Sequence, residues 1–152
     1  MITCVIREVD QAEYEACAIE FMGLMETFNQ QTDGEYFTRR AEDGANIANE
    51  YRTPGHKYVA HAMRGAQVYG LVGLMILSEH DAYLKVEDLC THPLTSGVGV
   101  LLVQHAVDES VRLGRGGTLR LYDASGGTFY DDLGFTVIDG NLKQLVGGIQ
   151  YR

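Results

Sequence analysis

A turn with two glycines stands where a strand-like run gives way to a helix-like run, and its residue types suit the binding of an anion. The run Glu87–His92 leads into Pro93, and the segment Leu94–Val100 then brings Gly97 and Gly99 to the start of an apolar helical pattern. Free backbone N–H groups and the positive end of the helix dipole meet at such a helix start. The spacing predicts a phosphate or pyrophosphate site, although two glycines at this spacing also serve a plain strand-to-helix turn.

A second segment with chemical potential lies nearer the C-terminal end of the sequence. Residues 129–135 read Phe-Tyr-Asp-Asp-Leu-Gly-Phe. This pattern predicts a short helix that carries the pair Phe129 and Tyr130, with Gly134 as its C-cap. A strand that opens on Phe135 is expected to follow.

Taken together, the two segments resemble the GNAT superfamily of N-acetyltransferases. That family carries a phosphate loop ending in Gly-x-Gly at the start of its central helix, and a later motif similar to Phe-Tyr-x-x-Leu-Gly-Phe. Gly97-Val98-Gly99 is similar to the first motif and Phe129–Phe135 to the second, about thirty residues later with one predicted strand between them. The resemblance extends from about Val68 to Ile138. It implies transfer of an acetyl group from acetyl-coenzyme A to a primary amine, by direct attack in a ternary complex.

The resemblance also implies roles for individual residues. Tyr130 would lie near the cofactor sulfur and donate a proton to the departing thiolate, and Glu87 would accept a proton from the amine, directly or through water. Two plainer roles stay open: Tyr130 as a packing aromatic and Glu87 as an ion-paired carboxylate on a strand. The expected cofactor contacts are Leu89, Cys90, Thr91, Thr95, Ser96, Gly97, Val98, Gly99, Val100, Asp123, Phe129 and Tyr130.

Two positions depart from the family pattern. Leu94 stands three residues before the first glycine, where the family usually has Arg or Gln, and the loop is about two residues short. Asp123 stands where many members have Asn, and Ser125-Gly126-Gly127 follows where an Ala is usual. We therefore expect weaker cofactor affinity, and phosphate contacts made mainly by backbone N–H groups.

The elements that must position these residues follow from the hydrophobic pattern. Asp10 is an expected N-cap with Glu13 three residues later, before an amphipathic helix with a face of Tyr14, Cys17, Ala18, Phe21, Leu24, Met25 and Phe28. The other predicted elements are strands Ile2–Val9, Lys57–Met63, Val68–Leu77, Ala82–Thr91, Thr118–Tyr122, Gly134–Ile138 and Leu142–Gln150, helices Arg39–Tyr51, Val98–Leu113 and Ser125–Leu133, and a loop Asn29–Glu35.

This order predicts an α/β (α+β) fold similar to that of the GNAT family, as one domain over residues 1–152. Its centre would be a mixed, mostly antiparallel, twisted sheet of six to seven strands with about four helices. Short connections in the middle of the chain favour antiparallel neighbours, because parallel strands need long crossovers. Three aromatics, Tyr36, Phe37 and Tyr51, are candidates for an acceptor pocket or for the core.

Composition narrows the class of protein further. The 152 residues are 45% hydrophobic and 22% charged, enough for one core. No run approaches the roughly 18 apolar residues of a membrane span, so we expect a soluble cytoplasmic protein. With 21 acidic and 12 basic residues the net charge is −9, which disfavours nucleic acid and favours a cationic amine as acceptor. The cysteines and histidines lack metal-ligand spacing, so no metal is expected. A homodimer is compatible with the sequence.

Two other functions remain open. The first is a module with the same fold that binds acyl-coenzyme A, or nothing, and acts through a partner without turnover, as the missing basic residue at Leu94 would allow. The second is a Rossmann-like nucleotide binder with Asp123 on the ribose, 24 residues after Gly99. That fold would need a third glycine where Leu102 stands, and the 29 residues after Asp123 are too few to complete a doubly wound sheet.

Overall fold

A computed structural model of the chain describes residues 2–31, 34–125 and 127–151, and of residues 35–38 it describes the backbone only. The described part contains seven strands and four helices in the predicted order. They are β1 (Ile2–Val9), α1 (Gln11–Gln31), α2 (Glu35–Ala48), β2 (His56–Arg64), β3 (Gln67–Glu79), β4 (Leu84–Thr91), α3 (Val98–Arg112), β5 (Leu119–Tyr122), α4 (Phe129–Asp132), β6 (Thr136–Asp139) and β7 (Leu142–Leu145).

The strands form one mixed sheet in the order β1-β2-β3-β4-β5-β7-β6. β1 is antiparallel to β2, and β7 is antiparallel to both β5 and β6. β4 and β5 are parallel, with Leu84 opposite Leu119, and α3 is their crossover. The predicted mixed, mostly antiparallel sheet is confirmed, and the antiparallel pairs contradict the doubly wound sheet of a Rossmann-like nucleotide binder.

The residues group into two compact units, and β3 and β4 contribute to both. The first unit contains Met1–Ile76 and Asp88–Leu102, and the second contains Leu77–Glu87 and Val103–Arg152. The single domain expected over residues 1–152 stays a prediction.

The first unit has its core between α1, α2 and strand residues. The N-cap of α1 forms as predicted, since the Glu13 N–H donates to Asp10 Oδ1 at 2.8 Å. The predicted apolar face of α1 is largely buried, which confirms the helical spacing. The core cluster consists of Tyr14, Ala18, Phe21, Met25, Ala41, Ala48, Val59, Leu71, Leu74, Ile76 and Cys90.

Three expectations for this unit are wrong in detail. α1 continues through Asn29 to Gln31, because no glycine or proline interrupts it there. α2 spans Glu35–Ala48 instead of Arg39–Tyr51. Leu24 is 37% exposed on α1 and does not belong to the buried face.

The second unit is built on buried leucines of β5 and β7, with Leu133 and Phe135 between α4 and β6. α3 ends at Arg112, and Gly114 has φ +82°, as expected of a residue that terminates a helix in the left-handed region. β7 ends at Leu145 instead of Gln150, since Gly147 and Gly148 have φ of +76° and +111° and leave the strand conformation.

The predicted helix Ser125–Leu133 is shorter, because a competing turn occupies its first residues. Asp123 Oδ1 accepts from the Ser125 N–H at 3.0 Å, and Ser125 Oγ accepts from the Gly127 N–H at 3.2 Å. Such side-chain to backbone bonds offer the chain an alternative to the helix. α4 therefore begins only at Phe129, and Gly126 lies outside the described residues.

Candidate active site

The loop between β4 and α3 is closed by bonds to one residue at its start. The His92 carbonyl oxygen accepts from the Thr95 N–H at 3.0 Å and from Thr95 Oγ1 at 2.6 Å. The Leu94 N–H donates to His92 Nδ1 at 3.1 Å. These bonds fix the loop before the glycine-containing segment and leave Ser96 and Gly97 exposed at its tip.

Gly97 sets the geometry at which the loop enters α3. Its φ of +84° lies in the left-handed region, which other residues rarely adopt. The first helical bond runs from the Leu101 N–H to the Gly97 carbonyl oxygen at 3.1 Å. The N–H groups of Val98, Gly99 and Val100 therefore precede the helical ladder and carry the positive end of the dipole. The predicted combination of an exposed glycine turn and a helix start is present.

A glycine in β3 lets α3 approach the sheet closely within the first unit. A Cβ on Gly73 would lie 3.0 Å from Leu102 Cδ1 and 3.3 Å from both Val98 Cγ1 and the Cys90 carbonyl oxygen. A Cβ there would be tighter than ordinary van der Waals contact, so Leu102, Val98 or the β4 backbone would have to shift. Gly73 thus positions the helix whose N-terminus carries the loop.

An open groove of about 290 Å³ lies beside this loop in the first unit. Thr95 and Ser96 line it from the loop, Val98 from α3 and Cys4 from β1. The loop therefore borders empty space of the size of a small ligand group.

A cation that the sequence did not indicate lies at the end of β4. Arg40 of α2 donates from Nη1 to the Pro93 carbonyl oxygen at 3.3 Å and from Nη2 to Thr91 Oγ1 at 3.3 Å. Because Arg40 is 51 residues from Thr91 in the chain, no local pattern could have indicated it. This arginine brings positive charge to the base of a loop that has no basic residue of its own.

The surroundings of His92 favour its neutral form. Burial and the nearby Arg40 charge both lower the pKa of its imidazole. Its Nδ1 accepts the Leu94 N–H, which assigns the ring proton to Nε2. The ring edge also packs against Phe28, with centroids 5.3 Å apart. His92 therefore shapes the loop.

Three predicted cofactor contacts lie at the end of β4. Leu89 and Thr91 are half-buried and alternate with the buried Cys90. Burial raises the pKa of the Cys90 thiol, so this cysteine is an inert core residue. Only its backbone could meet a ligand.

Glu87 lies in the second unit and has two partners. Its Oε1 accepts from Ser78 Oγ at 3.0 Å and lies 3.2 Å from Lys85 Nζ. The side chain is 21% exposed, so solvent reaches the carboxylate. The plainer role of an ion-paired carboxylate is thus observed, and a role as base stays a prediction.

Tyr130 lies on α4, where aromatic rings hold its own ring. The ring centroid is 5.0 Å from that of Phe129 and 5.4 Å from that of Phe135, both edge to face. Gly134 follows with φ +103°, and a Cβ there would lie 2.7 Å from the Gln150 carbonyl oxygen. The motif glycine is therefore required by both its backbone angle and the packing of the returning chain.

A charge cluster joins three elements of the second unit. Lys143 Nζ on β7 lies 2.7 Å from Asp123 Oδ2 and 2.9 Å from Asp131 Oδ1 on α4. Burial alone would raise the pKa of Asp123, but hydrogen bonds from Lys143 and Ser125 bring it below its usual value. Bonds to Asp123 and Asp131 raise the pKa of Lys143 despite its burial. The cluster holds α4, and hence the backbone of Tyr130, to the sheet.

Asp123 has a structural role in this cluster. Both of its carboxylate oxygens accept from protein groups, Oδ1 from Ser125 and Oδ2 from Lys143. A role of Asp123 at the cofactor stays a prediction. No signal in the sequence pointed to Lys143, which is 20 residues away.

Among the described residues, no three His, Cys, Asp or Glu side chains cluster as a metal site would require. None of the described helices is long and apolar enough to span a bilayer. The side chains of Tyr36 and Phe37 lie outside the described part, so their predicted place at an acceptor pocket stays a prediction.

No protein-family model matches the sequence, and no curated protein is similar enough in sequence to count as a match.

Solved structures, in contrast, share the fold. The PaiA N-acetyltransferase from Thermoplasma acidophilum, in complex with coenzyme A, is 18% identical, with 93% of this chain and 98% of that chain covered and a TM-score of 0.55. A GNAT-family acetyltransferase from Staphylococcus aureus is 16% identical, with 93% and 98% covered and a TM-score of 0.54. The ribosomal-protein-S18-alanine N-acetyltransferase from Escherichia coli is 15% identical, with 93% and 90% covered and a TM-score of 0.52.

These likenesses span nearly the whole of each chain at low identity. They establish that this chain has the fold of the GNAT N-acetyltransferases, which the two sequence motifs predicted.

Proposed function

We propose that this protein is an N-acetyltransferase that transfers the acetyl group of acetyl-coenzyme A to a primary amine. The observation that carries the proposal is the loop before α3, where Gly97 at φ +84° exposes the first N–H groups of the helix. A helix start of this kind binds phosphate groups through its backbone and dipole. One solved structure of the same fold contains coenzyme A, whose pyrophosphate would suit such a loop.

The reaction proceeds by direct attack in a ternary complex. The amine nitrogen forms a bond to the thioester carbonyl carbon, and a tetrahedral intermediate results. The carbon–sulfur bond then breaks, the acetyl group stays on nitrogen as an amide, and the thiolate takes a proton from the Tyr130 phenol. The amine gives up its proton to Glu87, directly or through water. Most of the rate would come from the orientation of amine and thioester.

Side chains and backbone divide this work. The backbone of residues 96–100 would hold phosphate, because no basic side chain lies between Leu94 and Val100. Tyr130 would act on the leaving group and Glu87 on the amine. The acceptor is proposed to be a primary amine of a small molecule, a polyamine or a protein, cationic at neutral pH.

The direct test is turnover by the purified chain. Acetyl-coenzyme A and a panel of primary amines are supplied, free thiol is measured with time, and mass spectrometry identifies the acetylated amine. We expect enzyme-dependent thiol release that requires an amine. Release of thiol at the same rate without any amine would indicate hydrolysis and contradict the proposal.

One observation favours a second candidate, a coenzyme A-binding module without turnover. Leu94, at the position of the family's usual basic residue, has an exposed side chain with 69% of its surface accessible. Saturable binding of acetyl-coenzyme A with no thiol release across the panel would establish that module. With a given panel of amines, thiol release would identify the enzyme, and binding without thiol release would identify the module.

A further inference from the structure

One face of the sheet in the second unit carries polar side chains that contact one another. Ser78 and Lys85 both contact Glu87, and the ammonium of Lys85 lies 5.1 Å from the ring centroid of Tyr122. Buried residues alternate with these side chains along β4 and β5. On β7 the buried Lys143, which contacts α4, points to the opposite face. We call the following set the polar face: Ser78, Lys85, Glu87, Arg120, Tyr122 and Gln144.

Arg120 is held on this face by two contacts. Its Nε donates to Gln144 Oε1 at 2.7 Å, and its guanidinium carbon lies 4.3 Å from the ring centroid of Tyr83. Tyr83 is itself stacked on His80, with centroids 4.7 Å apart and planes at 13°. Because Nε donates to Gln144, a ligand would bind at the other edge of the guanidinium group, which is formed by Nη1 and Nη2. That edge matches a carboxylate in two parallel hydrogen bonds.

The charges around Arg120 favour the binding of an anion. In the register of β4 and β5, Arg120 lies opposite Lys85, and like charges in opposite positions destabilise a sheet. The carboxylate nearest in this contact network, Glu87, is paired with Lys85 through Oε1. Lys85, Glu87 and Arg120 together thus carry two positive charges and one negative charge. A bound carboxylate would balance the remaining positive charge.

The distance to Glu87 defines the size of the ligand. Arg120 lies opposite Lys85, and Glu87 is two residues further along β4. The Cβ atoms of Arg120 and Glu87 are therefore roughly 7–8 Å apart. We propose that Arg120 binds the carboxylate of the acceptor, whose primary amine then lies at Glu87, while Lys85 stays paired with that glutamate. The acceptor class is an amino acid with amine and carboxylate separated by a few carbons. This inference rests on the proposed acetyl transfer.

The test uses acceptors that differ only in the group opposite the amine. 4-Aminobutyrate, n-butylamine and 1,4-diaminobutane have four-carbon chains that end in carboxylate, methyl and ammonium. Hydrogen bonds to charged groups predict that kcat/KM for 4-aminobutyrate exceeds that for n-butylamine about 10- to 100-fold, mainly through a lower KM. The diamine should be the poorest of the three, because its second ammonium meets the positive charge of Arg120.

Variants locate the preference. Arg120→Gln should reduce the ratio of kcat/KM for 4-aminobutyrate over n-butylamine about 10-fold or more, and Arg120→Lys should have an intermediate ratio, since it keeps the charge but loses the fork. Arg112→Gln is the matched control, because Arg112 pairs with Glu109 on the surface of α3 and should leave the ratio unchanged. Thermal unfolding of each variant verifies folding.

Binding without turnover separates this inference from the proposed function. N-acetyl-4-aminobutyrate carries the carboxylate but no free amine, and its binding can be measured by NMR titration. Weaker binding to Arg120→Gln than to wild type in a protein that releases no thiol would support the carboxylate site and contradict the proposed function. Thiol release with equal kcat/KM for all three acceptors would overturn the carboxylate site and leave the proposed function intact.

Discussion

The loop at the start of α3 and the charge cluster around Lys143 represent two ways of building a site. The loop offers backbone N–H groups at an exposed glycine, so side-chain identity matters little beyond Gly97. The cluster joins side-chain charges, with 11% of Lys143 and 2% of Asp123 exposed, and each member depends on the others. Substitutions should therefore change ligand binding at the loop and stability at the cluster.

Replacing Tyr130 by Phe should have the largest effect on the reaction. The ring and its contacts with Phe129 and Phe135 remain, so stability and coenzyme A binding should change little. Loss of the phenol as proton donor predicts a decrease of about 10²- to 10⁴-fold in kcat, with an equal decrease in kcat/KM. Steady-state kinetics measures both constants. Full kcat in this variant would remove Tyr130 from the mechanism.

Replacing Lys143 by Met should have the largest effect on stability. It leaves the buried Asp123 carboxylate without its cation, which predicts a loss of about 3–5 kcal/mol in the free energy of unfolding. The control Arg112→Met removes the cation of an exposed pair, in which 58% of the arginine is accessible, and should cost less than about 1 kcal/mol. Urea unfolding measures both. Equal losses would mean that burial of the cluster has no energetic consequence.

The stability that the cluster contributes should decrease at both acidic and alkaline pH. The pKa of Asp123 is lowered on folding, so its contribution is present above about pH 4 and is lost as pH falls through the folded value. The pKa of Lys143 is raised, so its contribution is present below about pH 10 and is lost as pH rises through the folded value. The stability difference between wild type and Lys143→Met should thus be greatest between about pH 5 and pH 10. A difference that is constant from pH 3 to pH 7 would contradict this account.

A smaller effect is expected from alanine at Gly97, and Gly65 provides a matched control. Both glycines have positive φ, +84° and +62°, and a Cβ at either would meet no atom within 4 Å. The strain of a left-handed alanine should therefore cost each variant about 1 kcal/mol. Only Gly97→Ala should weaken coenzyme A binding, about tenfold, since it alone alters the phosphate loop. Isothermal titration would detect this, and equal affinities of the two variants would argue against the loop.

The sequence allowed good prediction where local signals decide the structure. Asp10 with Glu13 indicated the start of α1, and the Leu-Gly-Phe motif indicated a left-handed Gly134. The helix before that motif was predicted too long, because Asp123 and Ser125 form a turn that pattern analysis does not reveal.

Contacts between distant residues account for what the sequence could not indicate. Arg40 with Thr91 and Lys143 with Asp123 are pairs that only folding brings together. In the sequence, Arg40, Lys143 and Asp123 resemble ordinary surface charges. Nothing in their spacing distinguishes them from the other charged residues. The candidate site was therefore predictable in its backbone motifs and unpredictable in the charges that support them.

The most direct test of the account is an NMR titration of isotopically labelled protein with coenzyme A. Backbone binding predicts that the amide resonances of Gly97, Val98, Gly99 and Val100 shift most, because their N–H groups would donate to phosphate oxygens. The Gly65 amide, in a turn of similar backbone geometry, should stay in place. Coenzyme A that bound with saturable shifts elsewhere and none at residues 97–100 would contradict the central claim that this helix start holds the cofactor.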